Sequence, residues 1–393
     1  MAKIIFKGMR LIDGTGRKPA ENATIYAEDG IIKQINPPAD EGARSVTTVD
    51  LSGKTVIPGI IDCHVHFTFD ATTRCLLNAA SRTEAENAVE GVSNLKKLLS
   101  DGVVFFRDLG GKDGVDTVVR DAVKDGRLTG PDFLACGSII AMTGGHCHML
   151  ARETDGTGDC VKAVREQVKK GADVIKFMAT GGIHTPGNRL ETAQLSFNEL
   201  SAGIDEARRL GRKTAAHALT ATGIKNAVAA RVDSLEHGCF LDLPVITEMV
   251  DNGIYLVPTL GAVKWIADAR LSDGFTYSML EKAKVCVKKH AESFELAHKN
   301  GVKIAFGTDR GSSLNDHDKG TREMVLMAKH GMNAMDVIVS ATKNAAELCG
   351  VNDVYGTLEP GKYANFIVYD KNPVDEPEAF TEIKAVYLKG ETV

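Results

Sequence analysis

Two histidines one residue apart, His64 and His66, close the apolar run Pro58-Gly59-Ile60-Ile61-Asp62-Cys63. A strand sends successive side chains to opposite faces, so the two imidazoles share a face and Val65 takes the other. Two imidazoles at a strand end suit a divalent metal. Taken alone, the pair reads more simply as one core and one surface histidine. Further metal-binding side chains at the ends of later apolar runs shift that balance: Lys176, His217, His237 and Asp309.

Lys176 bears on the number of metals. In Val174-Ile175-Lys176-Phe177-Met178 the strand alternation puts the lysine on one face with Val174 and Met178. A buried ammonium is costly and either shifts its pKa or finds a partner. As a neutral amine it can add carbon dioxide, and the resulting carbamate is an anionic oxygen ligand able to bridge two metal ions. The alternatives are a lysine that snorkels to the rim or pairs with Asp309.

The elements that must hold these side chains alternate. Strands are expected at 60–66, 103–108, 133–137, 174–178, 214–217, 234–237, 254–258 and 302–309. Helical periodicity falls between most of them, at 84–100, 117–124, 159–170, 196–210, 221–230, 244–252 and 277–300. Ser196-Phe197-Asn198-Glu199 has capping-box spacing, and Gly253 is one of several glycines placed where a helix should stop. Eight strands alternating with helices fit a (β/α)8 barrel, whose active sites lie at the C-terminal strand ends. The candidate residues sit at those ends. A doubly wound open sheet is the other arrangement, but no Gly-x-Gly-x-x-Gly follows a strand.

Both chain ends carry short strand-like pieces. These are 4–6, 23–27, 31–35 and 46–49, punctuated by Asp13-Gly14, Asp29-Gly30 and Pro37-Pro38, and then 364–369 and 383–388. The expectation is a small β domain made from residues 1–58 and 350–393 around a barrel of residues 59–349.

The 393 residues are 43% hydrophobic and 25% charged, an ordinary globular balance. A formal net charge of -5 gives no electrostatic reason to expect nucleic acid or an anionic membrane as partner. No run approaches the ~20 apolar residues of a membrane span. The first residues lack a signal-peptide core, and the eight scattered cysteines form no Cys-x-x-Cys. A cytoplasmic protein with reduced thiols is expected.

Several motifs together carry a resemblance. They are Leu11-Ile12-Asp13-Gly14-Thr15-Gly16, the His64-Val65-His66 segment, Val174-Ile175-Lys176, Glu236-His237-Gly238, Gly307-Thr308-Asp309, the 341–346 run and Gly356-Thr357-Leu358-Glu359-Pro360-Gly361-Lys362. With them the chain resembles the amidohydrolase superfamily nearly end to end. The resemblance implies an α/β fold, a TIM barrel joined to a small β-sandwich built from both termini. It also implies two divalent metal ions, zinc by ligand type and resemblance, although histidine and carboxylate also accept manganese, cobalt or iron. His64, His66 and Asp309 would hold the first, His217 and His237 the second, and a carbon dioxide-derived carbamate on Lys176 would bridge them. Thr143-Gly144-Gly145-His146, Ala179-Thr180-Gly181-Gly182 and Gln194-Leu195-Ser196 are similar to the prolidase and metal-dependent carboxypeptidase branch, related to imidazolonepropionases. One departure is Asn365, where the pattern usually has Asp; it falls in the small domain.

The implied reaction is hydrolysis of a C–N bond, in a dipeptide or N-acyl amino acid, by metal-activated water. Asp309 would be general acid and base, and His146 would help polarise the carbonyl. His146, His184, Arg189 and Tyr255 are candidate substrate-binding residues, with Arg310 adjacent; His148 has no place in the motifs. Resemblance suggests a homo-oligomer. A cyclic amidase is a rival reading. So is a one-metal deaminase or imidazolonepropionase-like cyclic-imine hydrolase, although no Glu follows His217 in Ala218-Leu219-Thr220 and Lys176 is present. A non-catalytic interaction scaffold would be expected to lose ligands, and all six are present.

Overall fold

The computed structural model describes residues 3–37, 46–112 and 114–393. Seven of the expected barrel strands are Ile60–Val65, Val103–Asp108, Asp132–Leu134, Val174–Met178, Lys213–Ala218, Ser234–His237 and Tyr255–Val257. Neighbours run parallel from the first to the third and from the fourth to the seventh. The third joins the fourth through Ala135, whose carbonyl accepts from Asp173 N and Val174 N at 2.8 and 3.4 Å. These strands are buried on both faces, as expected of a barrel whose helices cover the outside.

The eighth strand, expected at 302–309, is not regular, yet this segment closes the ring. Leu256 N donates to Lys303 O at 2.9 Å, Cys63 N to Phe306 O at 2.9 Å and His66 N to Arg310 O at 2.9 Å. Two features interrupt it. A Cβ on Gly307 would stand 2.3 Å from a Val257 methyl, so only glycine fits there. Asp309 adopts φ 62, which ends the extended conformation and turns the carboxylate inward.

The helices follow their caps. Glu84–Ser100 starts at a Thr83 capping box and Phe197–Arg209 at the expected Ser196 box. Leu243–Asn252 stops at Gly253, φ 66. Two short helices that sequence periodicity did not reveal, Cys75–Ser81 and Leu260–Asp268, lie over the barrel mouth. The second is apolar on nearly every face, and its N-terminus is fixed by Glu323, which accepts from Leu260 N and Gly261 N at 2.6 and 2.7 Å.

Both chain ends form one eight-stranded sheet. Its order is Glu391–Thr392, Ile383–Leu388, Phe366–Tyr369, Thr55–Pro58, Lys3–Leu11, Ala20–Glu28 and Ile31–Ile35, with Thr47–Asp50 also on Lys3–Leu11. Lys3–Leu11 shares one edge between two partners: Ile4 to Lys7 face 47–50, while Arg10 and Leu11 face 55–56. Phe6 packs edge-on against Phe366 and Tyr387, at 4.9 and 5.1 Å between ring centres. The sheet thus curls over its own core, as a sandwich does. Pro38 of the expected Pro37-Pro38 turn lies outside the described residues. Asn365 O accepts from Gly59 N at 2.9 Å and its side chain accepts from Lys389 N, so this residue serves the junction and the sheet.

Among the described residues no helix is long and apolar enough to cross a membrane. All eight cysteines are buried and unbridged.

Candidate active site

Parallel strands put their C-terminal ends on one rim, and the side chains there converge. His64 and His66 point inward from the first strand, Lys176 from the fourth and His217 from the fifth, as the period of two requires. Strict alternation would send Glu236 and His237 to opposite faces. Both reach the interior because the backbone turns at His237, φ 70. The imidazoles form a continuous arc. Ring centres are 5.4 Å apart for His64–His66, 5.1 Å for His64–His237, 4.7 Å for His217–His237 and 4.6 Å for His146–His217.

Each ring is oriented from behind. His64 Nδ1 lies 2.8 Å from Glu236 Oε2, His66 Nδ1 2.7 Å from Gly110 O and His237 Nδ1 2.6 Å from Thr259 Oγ1. This leaves each Nε2 free toward the cavity, the usual arrangement behind a metal-binding histidine. His217 is reversed, with Nε2 3.3 Å from Gly181 O. Asp309 Oδ1 stands 3.5 Å from His64 Nε2 and 3.4 Å from His66 Nε2, and the three residues offer ligand atoms within 4.8 Å of one another. Two neutral imidazoles and a carboxylate with atoms turned to a common point fit a divalent cation.

Burial dominates the electrostatics. It pushes His66 and His217 down to about 3, so both are neutral and able to ligate at ordinary pH. It lowers Lys176, against the attraction of Glu236 and Asp309. It pushes Asp309 up to about 8, with the Lys176 charge pulling the other way. Lys176 does not snorkel, being 1% exposed. Among the described residues its amine has no carboxylate within 4.0 Å.

The cavity above this centre opens to solvent and, with that mouth included, spans about 620 Å³ of empty space. Its walls are mainly apolar: Phe69, Leu76, Met178, Ile183, Val263 and Ile266. Several come from the two short helices at the barrel mouth. His146 and His184 also line it. Thr185 Oγ1 is 2.8 Å from His146 Nδ1 and accepts from Cys147 N at 3.0 Å. His184 Nε2 lies 3.0 Å from Ser313 Oγ, and burial takes its pKa to about 4.

Other residues singled out from sequence are not brought to the cavity. Arg189 is 82% exposed and borders an outer cleft. Tyr255 begins its strand, at the opposite barrel end, and donates to Glu347 Oε2 at 3.1 Å. Arg310 is fully buried beneath the rim, paired with Asp62 and Asp101 at 2.8 Å each. His148 is exposed on a one-turn helix.

Sequence reading missed the support behind His64. Arg107 sits 2.9 Å from Glu236 Oε1 and donates to Cys63 O at 2.7 Å, with both charged side chains buried. Glu236 was visible only as a letter beside His237. Replacing it (Glu236→Gln) strips Arg107 of its countercharge and His64 of its carboxylate. Metal affinity is expected to fall about 10–100-fold and stability by about 3–5 kcal/mol. Chelator-buffered metal titration and thermal unfolding would check this; unchanged affinity would contradict it.

Comparison with known proteins agrees with this geometry. The amidohydrolase family profile matches residues 55–393. A solved Xaa-Pro dipeptidase with methionine bound in its active site superposes with a TM-score of 0.91, 30% identical, over 100% of both chains. A solved prolidase complexed with N-methylphosphonate-L-proline gives 0.91 at 28% identity, covering 100% of this chain and 99% of that one. Ochratoxinase from Aspergillus niger is 29% identical over 98% of this chain and 84% of its own length.

Proposed function

The chain belongs to the amidohydrolase family, as a hydrolytic enzyme acting on amide bonds, and from that premise we propose that it cleaves a dipeptide or an N-acyl amino acid at a two-metal centre. The observation that carries this reading is the convergence of His64, His66 and Asp309 within 4.8 Å at the floor of an apolar-walled cavity. The names of the prolidase, dipeptidase and ochratoxinase relatives support a linear amide of an amino acid as the substrate class.

In this reading His64, His66 and Asp309 would hold one ion and His217 and His237 the other, with Lys176 lining the same cavity as both sets. Burial favours its neutral amine, which adds carbon dioxide by forming an N–C bond and releasing a proton. The carbamate then offers two oxygens. Zinc suits this donor set. Divalent ions held there supply Lewis acidity and make water a nucleophile near neutral pH.

The protein's own groups do the rest. Asp309 takes the proton of the attacking water at its carboxylate and hands it to the leaving nitrogen. Thr185 Oγ1 accepts the Cys147 N–H and can give its own hydrogen to His146 Nδ1. In that tautomer the His146 proton is on Nε2, near Cys147 Sγ at 3.5 Å, and donates to the oxygen of the scissile carbonyl as negative charge develops. The apolar walls exclude bulk water and favour apolar side chains on the substrate.

The test is a screen of the metal-loaded protein against dipeptides and N-acyl amino acids varied at both positions, with lactams and hydantoins alongside. Turnover of linear amides, highest with apolar side chains, is expected. Activity confined to rings would overturn the reading in favour of a cyclic amidase.

A further inference from the structure

A substrate that ends in an amino acid brings a carboxylate into a cavity with mainly apolar walls, and that charge needs a partner. The nearby cations are mostly committed. Arg107 is paired with Glu236 and Arg310 with Asp62 and Asp101. Lys112 donates to the carbonyls of Ala80 and Arg82 at 2.9 and 2.6 Å. Arg189 extends into solvent. Lys176 lies among the metal-binding side chains.

Lys282 differs. It projects from the long helix Tyr277–Lys299 and is half-buried. Its ammonium donates to Gly182 O at 3.2 Å, and among the described residues no carboxylate lies within 4.0 Å of it. An ammonium has three donors, and one carbonyl uses one of them. Gly182 is pressed against His146: a Cβ there would lie 2.2 Å from the imidazole Cε1. The cation therefore touches the residue that touches the carbonyl-facing histidine. It lines the outer cleft with Asn188 and Glu191, whose charge attracts it, and its own charge reaches His146 and His184 of the cavity. The carboxylate of a leaving amino acid lies about one residue length, ~3.8 Å, beyond the scissile carbonyl.

We propose that Lys282 binds the carboxylate of the amino-acid portion of the substrate and so determines specificity for amides with a free C-terminus. This rests on the amino-acid amide reading above. The competing role is a lysine that only ties its helix to the loop through Gly182 O.

Binding separates the two. L-leucine and L-leucinamide are titrated calorimetrically into the metal-loaded protein, its Lys282→Met variant, which keeps an unbranched side chain without charge, and Lys282→Arg. The unaltered protein is expected to favour leucine over leucinamide by about 10- to 100-fold, the range for a hydrogen bond to a charged group. Lys282→Met should bring that ratio near one, and Lys282→Arg should keep most of it. The proposal is overturned by no detectable leucine binding at millimolar concentration, by a ratio near one in the unaltered protein, or by a ratio that survives in Lys282→Met. If Lys282→Met weakens both ligands equally, the lysine is a tie and not an anchor. Because binding needs no turnover, a carboxylate preference alongside a substrate screen without linear-amide cleavage would reject the reaction while leaving the anchor standing. Linear-amide cleavage without a carboxylate preference would do the reverse.

Discussion

Lys176→Ala is expected to lose the proposed two-metal centre and to lower turnover by at least roughly 10²–10³-fold, the cost of removing one preorganised charge-stabilising group. The amine is buried at 1% exposure among His64, His66, His217, His237 and Asp309, and among the described residues no carboxylate lies within 4.0 Å of it. A lysine kept in such a place as a bare ammonium would repel the cations its neighbours are arranged to hold. As a carbamate it would join them. Metal analysis of the variant should find fewer than two ions per chain, and a short carboxylic acid should restore part of the activity by entering the vacated space. Lys176→Arg should be as inactive and should not be rescued, because a guanidinium stays charged and fills that space. Stability offers an independent reading. With metals removed, Lys176→Ala should be at least as stable as the parent, since it discards a buried amine that burial penalises. Two tightly held ions and normal turnover in Lys176→Ala would sink the carbamate.

Legibility in the sequence followed the range of the forces involved. The strands Val103–Asp108, Val174–Met178 and Ser234–His237 and the helix Glu84–Ser100 begin and end where composition and capping say they should. Their signals are local: apolar runs, a Thr83 cap, a glycine after the last turn. The convergence of the candidate ligands was legible for a related reason, because parallel strands convert a position in a run into a position on a rim. The irregular eighth segment was not, since its interruption comes from the close approach of Gly307 to Val257 and from the inward turn at Asp309. The helix Leu260–Asp268 was hidden because it is short and mostly apolar, with only Lys264 and Asp268 to mark its outer face. Arg107 and Glu236 are 129 positions apart, so nothing local announces their pairing. Tyr255 and Arg189 show the opposite failure. Each has suitable chemistry and a nearby place in sequence, but one starts its strand and the other leaves its loop for solvent.

The same rim supports the second large effect. Asp309→Asn is expected to cut kcat by roughly 10²–10⁴-fold, the usual value of a positioned acid–base group, while KM changes only slightly. The substitution is a fair probe because asparagine tolerates the left-handed conformation that Asp309 adopts at φ 62. The backbone contacts that fix the residue, Asp309 N to His64 O at 2.7 Å and Ser312 N to Asp309 O at 3.2 Å, do not involve the side chain. The amide keeps an oxygen facing His64 and His66 but cannot accept and return a proton. Two measurements separate proton transfer from ligation. Metal content should stay near that of the parent, and the acidic limb of the kcat–pH profile should disappear, because that limb reports protonation of the carboxylate that must be ionised to act, and that carboxylate is gone. A variant that loses metal and recovers its rate when metal is added in excess would make Asp309 a ligand alone. Turnover within tenfold of the parent at full metal content would remove it from the proton path. A raised pKa would suit Asp309 to both proposed roles. Burial pushes the Asp309 carboxyl up to about 8 while Lys176 pulls it down, so its charge is set by what occupies the centre beside it, and a cation arriving at His64 and His66 favours the ionised form that can then take a proton from water.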